Sequence, residues 1–123
     1  MCQCFPNFKA QDPAINNLRH KVRYALEENN PGLISLWLSM EDSIKEGTSS
    51  ASWQLYCAQY KLLIDTLSDD LLPKHWRVCC LDNIYRPLSS LNRLAIETDQ
   101  QRQLNKLYYE LRVISHFFQN GLS

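Results

Sequence analysis

Between Pro73 and Pro87 the chain reads PKHWRVCCLDNIYRP, a stretch holding one histidine, two adjacent cysteines, an aspartate and two arginines. If it is helical, His75 stands one turn before Cys79 and Asp82 lies on the same side. Those residue types in that order read as a thiol nucleophile, an imidazole to activate it and a carboxylate to orient the imidazole. A nucleophile also needs an oxyanion donor and a substrate cleft, and no glycine-bearing turn adjoins these residues to supply open backbone amides. The period of the stretch explains it more simply. Trp76, Cys80 and Ile84 share one face, Val78, Leu81 and Tyr85 a second, and Asp82 and Arg86 stand four apart as a surface ion pair. A helix packed on both sides is therefore expected, with a thiol or metal site around His75 and Cys79 as an alternative reading.

The N-terminal MCQCF offers a C-x-C pair. Soft thiolates favour zinc or copper(I), and Cys2 and Cys4 with His75 and Cys79 would complete a tetrahedral set. The two halves lie about seventy residues apart and lack the paired C-x2-C or H-x3-H modules of structural zinc, so no metal or other cofactor is expected. Acylation of Cys2 or Cys4 would anchor the chain to a membrane, but position 2 is not glycine and Lys9 is the only basic residue before Arg19. A flexible tail over 1–12 carrying two thiols is the expectation. Five cysteines, an odd number with no export signal ahead of them, read as reduced thiols of a cytoplasmic protein.

Basic residues gather locally. Arg19 and Arg23 lie one turn apart, and Lys74, Arg77 and Arg86 follow among Tyr24, Trp76 and Tyr85, a composition used to hold phosphates and stack bases. Yet thirteen Lys plus Arg face thirteen Asp plus Glu, so no net field collects nucleic acid. Glu27, Glu28 and Asp82 also interrupt the cluster, which leaves nucleic-acid binding as an alternative. Neither a Gly-rich phosphate loop nor H-E-x-x-H nor G-x-S-x-G occurs, and His20 and His116 flank apolar stripes as boundary residues. The chain is not expected to be an enzyme.

The elements that must position these residues read as helices. Glycine occurs only three times, and no segment alternates apolar and polar between turn residues. Asp12–Pro13 opens a helix over 13–28 through Ile15, Leu18, Val22 and Ala25, and NNPG at 29–32 separates it from a second helix ending near Gly47. A third over 50–67 carries Trp53, Tyr56, Cys57, Tyr60, Leu63, Ile64 and Leu67. The fourth is the opening stretch, which Pro87 ends. Beyond it Leu104, Leu107, Leu111, Ile114 and Phe118 recur at three and four, and TDQQ at 98–101 resembles a capping box that divides 87–96 from 99–119. No run reaches the roughly 20 apolar residues of a membrane span.

The fold class is thus all-α: a single-domain bundle of five or six helices over 13–119, up-and-down or in stacked hairpins, with 120–123 as its end. Three Trp, six Tyr and four Phe exceed what one stripe per helix requires. Surplus aromatic surface on a small bundle suits an interface. The expected function is a protein-interaction module, an adaptor, regulator or secretion-type chaperone, that seats a partner helix or a second copy in a groove lined by Leu33, Trp37, Met40, Trp53, Tyr56 and Tyr60.

Overall fold

The structure, a computed structural model, describes residues 12–44 and 49–121 and contains among them six helices and no strand. They are α1 (Pro13–Arg23), α2 (Gly32–Asp42), α3 (Ser49–Leu67), α4 (Lys74–Asn83), α5 (Tyr85–Leu94) and α6 (Thr98–Gly121). The protein is an all-α bundle. Cys2, Cys4, the rest of the tail up to Gln11, residues 45–48 and residues 122–123 lie outside the described residues.

Local chemistry sets most helix ends. Asp12 caps α1, its Oδ1 accepting from the Ala14 N–H at 2.8 Å, with Pro13 at the position whose N–H has no partner to lose. At the start of α6, Gln100 rather than Gln101 reaches back: its Oε1 accepts from the N–H groups of Ile96 and Glu97, both at 3.2 Å. That is the reciprocal arm of a capping box set one residue earlier than the TDQQ spacing suggests. Residues 87–119 are therefore two helices.

α2 stops at Asp42, with Ser43 as its C-cap, short of the expected end near Gly47, and two further ends differ from expectation. α1 stops at Arg23, five residues before the expected 28, because Ala25 adopts a left-handed φ of 53°. Leu26 N–H then bonds to Lys21 O at 3.0 Å and Ala25 N–H to Val22 O at 3.4 Å, the paired bonds of a Schellman motif. Alanine fills the place that glycine usually takes, so no residue type announced the stop. Second, α5 begins at Tyr85 and holds Pro87 in its first turn. A proline ring at 87 collides with the carbonyl four residues back in an unbroken helix, so α4 ends at Asn83 and the chain turns at Ile84.

α3 is the central helix, with α1, α4 and α5 packed on it; α2 packs on α1 and α4, and α6 on α5. One apolar cluster runs through all six, including Val22, Trp37, Leu63, Leu67, Trp76, Leu91 and Leu104. Full burial of each leucine in it contributes about 2 kcal/mol. Trp76 sits inside this cluster with its Nε1–H donating to Val22 O at 2.8 Å, which ties α4 to the last turn of α1. Polar groups also enter the core. Arg19 of α1 grips Glu41 of α2 with both forks, Nη2 to Oε1 at 2.9 Å, while Gln59 Nε2 of α3 donates to Glu41 at 3.1 Å.

Candidate interaction site

α6 lays Leu104, Leu107, Leu111, Ile114 and Phe118 on the bundle, a stripe spaced three and four that keeps one face inward. Tyr60 fixes its middle from α3: the phenol hydroxyl lies 2.7 Å from Glu110 Oε1 and 3.1 Å from Leu107 O. Consecutive phenylalanines cannot both lie on that stripe. Phe118 is buried, and Phe117 is 71% exposed.

Opposite the C-terminal half of α6 is the junction of α3 and α4. Asp69 accepts from Leu71 N–H at 3.0 Å and from Arg23 at 2.8 Å, which folds the connection into a turn and pins it to α1. The Arg23 guanidinium holds the Asp69 carboxyl below the usual aspartate range, with the Leu71 N–H adding to the effect. The turn leaves Leu71 at the surface, 93% exposed. From α4, Arg77 reaches back and donates from Nε to Leu67 O at 2.8 Å, satisfying a carbonyl at the end of α3. Its Nη2 lies 3.3 Å from Asp70, and its guanidinium stacks 4.9 Å from the Phe118 ring centre.

Between these elements runs a cleft of about 480 Å3 lined by Leu67, Ser68, Asp70, Arg77, Ile114, Phe117 and Phe118. Its volume falls within the range of sites that hold ligands, roughly 300–1,000 Å3. The apolar walls come from α3 and α6, and the polar groups from the α3–α4 junction. Leu71 follows the lining residue Asp70 directly, so exposed apolar side chains stand at both the junction and the α6 side.

This chain matches no family model, no curated protein and no solved structure in the three comparisons made. The reading of the site therefore rests on its geometry.

That geometry corrects the expected groove. Leu33, Trp37, Trp53 and Tyr60 are buried in the core, and Met40 and Tyr56 are half-buried against it. The aromatic surplus of α2 and α3 goes into the central packing, where α3 is covered by three other helices.

The basic residues assigned to nucleic acid have partners already, four of them shown in detail. Arg19 and Arg77 are buried, the first on Glu41 and the second on Leu67 O and Asp70. Arg23 pairs with Asp69, Arg86 donates to Ser35, Ser39 and Asp42, and Lys74, though exposed, is not free either. Phosphate contacts by the four would require dismantling these pairs. The expected Asp82–Arg86 pair does not form, since the turn at Ile84 separates them from a common helix and Arg86 swings to α2.

Around Cys79 the electrostatics oppose a nucleophile. Burial and then the negative charge of Asp82 push its thiol up, so the neutral SH form prevails at neutral pH. His75 is turned away, its Nε2 3.0 Å from Glu28 O. Cys80 is fully buried and pushed up to about 12, first by burial. No group of three metal-binding side chains occurs among the described residues, and no helix there is long and apolar enough to cross a membrane.

The residues of the cleft were visible in the sequence only as parts of other patterns: Ile114 and Phe118 as a core stripe, Arg77 as a basic residue and Ser68 as a cap. The available signal was the doubled apolar pairs Leu71–Leu72 and Phe117–Phe118, in each of which one side chain must face away from the bundle.

Proposed function

We propose that the protein is a non-enzymatic interaction module, an adaptor, regulator or chaperone acting in the cytoplasm, that docks a partner in the cleft between α6 and the α3–α4 junction. The observation that carries this reading is a cleft lined by Phe117, 71% exposed, with Leu71, 93% exposed, next in the chain to the lining residue Asp70. Leaving such groups in water forgoes about 1.5–3 kcal/mol each, a cost that a partner covering them would remove. Arg77 and Phe118 hold the cleft open by being fixed themselves: a buried guanidinium stacked on a buried ring cannot collapse into the space.

Site-directed photocrosslinking tests the reading. A benzophenone side chain placed at Phe117 or Leu71 in the cell is expected to yield discrete adducts absent when it is placed at Ser89, an exposed position on α5. Adducts of two identical chains would identify a second copy as the partner. If both cleft positions give no more product than Ser89, the reading fails.

A further inference from the structure

The charge inside the cleft indicates what enters it. Arg77 is 5% exposed, yet its guanidinium lines the cleft. Nε is spent on Leu67 O, Nη2 on Asp70, and the Phe118 ring covers one face of the guanidinium. Nη1 has no hydrogen bond among the described residues, and Arg77 lines the cleft. Its nearby carboxylates are shared or solvated: Asp69, which feels the charge of Arg77, is itself paired with Arg23. Asp70 lies 3.3 Å away with a side chain 92% exposed, whereas a charge-assisted bond of this type is about 2.7–2.9 Å. A guanidinium taken this far out of water is stabilised by an anion at close range with good geometry.

A carboxylate arriving on Nη1 supplies that anion, and Ser68, which also lines the cleft, carries a hydroxyl able to donate. Leu67, Ile114 and Phe117 offer nothing to a charge and suit an apolar side chain next to it. Because the guanidinium lies below the surface, a glutamate reaches it with one methylene more than an aspartate. Exposed apolar groups at both margins favour a rod lying across the cleft over a chain end entering it.

We infer that the cleft takes an acidic amphipathic helix of a partner protein, with a glutamate carboxylate on Arg77 Nη1 and an apolar side chain three or four residues away against Ile114 and Phe117. The inference rests on the docking role proposed above and specifies its partner.

Selection of short random peptides from a display library on the immobilised full chain tests it. Winning sequences are expected to carry glutamate three or four residues from Leu, Met, Phe or Trp. They should move the amide NMR signals of Ser68, Arg77, Ile114 and Phe117. Exchanging that glutamate for glutamine in the peptide should weaken binding about tenfold or more, as for loss of one partner of a buried charged pair. The exchange is made in the peptide, so the fold of the protein is not in question. Peptides that move those signals but bind equally well with glutamine overturn the acidic helix while leaving the docking role intact. Peptides that bind there only through a free C-terminal carboxylate, lost on amidation, overturn it in favour of a chain end. If no selected peptide moves those signals, both readings fall.

Discussion

Arg19 and Glu41, on different helices, meet inside the core, where the Glu41 side chain is fully buried and the Arg19 side chain is 10% exposed. Both forks of the guanidinium are used, Gln59 satisfies the same carboxylate, and Arg19 also stacks 5.4 Å from the Trp37 ring centre. The pair thereby joins α1, α2 and α3 at one point. Removing one partner leaves the other charge buried without compensation. Glu41→Leu is expected to cost about 3–5 kcal/mol in urea unfolding, whereas Arg19→Met combined with Glu41→Leu recovers most of that loss. A double variant as unstable as the single one would show that the pair contributes net stability.

Ala25 carries a backbone that favours glycine. Relief of left-handed strain, about 1–2 kcal/mol, opposes the loss of a buried methyl, about 0.8 kcal/mol, and the greater chain entropy of glycine. Ala25→Gly should therefore fall within about 0.5 kcal/mol of neutral. Ala58→Gly, in the interior of α3, should cost at least about 1.5 kcal/mol, having no strain to relieve. Equal losses at the two sites would contradict the assigned turn at Ala25.

Tyr60→Phe removes the hydroxyl that ties α3 to Leu107 and Glu110 and leaves the ring in place. The expected loss is about 1–1.5 kcal/mol. Since α6 is held along one face only, amide exchange over 104–118 should quicken more than exchange in α3. Uniform quickening would mean that α6 opens only with the whole bundle.

Cys80 makes stability depend on alkali. In the unfolded chain a thiol ionises near its ordinary 9.0, whereas in the fold it keeps its proton to about 12. A raised value of this kind contributes stability that is complete below 9.0 and is lost as pH rises toward 12. Urea midpoints should fall across that window, and less steeply for Cys80→Ala, after allowing for the small cavity. Slopes that coincide would assign the alkaline loss to other groups.

Cys79 should be alkylated by iodoacetamide at neutral pH more slowly than a free cysteine, because burial and Asp82 both disfavour its thiolate. Unfolding should restore an ordinary rate. Reaction of native Cys79 faster than that of a free cysteine would reopen thiol chemistry at this site.

Sequence by itself determined the helices and most of their inward faces. Asp12–Pro13, Pro73 and Pro87 punctuate the chain through local sterics and capping, and the repeats at three and four correctly placed Val22, Cys57, Leu63, Leu67, Trp76 and Leu104 in the core. These are properties of neighbouring residues along one chain segment, and periodicity reports them directly. Only tertiary structure decided which apolar faces are covered and which charges meet. Trp37 and Trp53 are as apolar in the sequence as Phe117 and Leu71, but other helices lie over the first two and water over the last two. Arg77 reads as a solvent-facing cation until α6 lays Phe118 on it, and Arg19 does so until α2 brings Glu41 to it. Burial and ion pairing depend on what approaches from elsewhere in the chain, and that distance is not written in the spacing of adjacent residues.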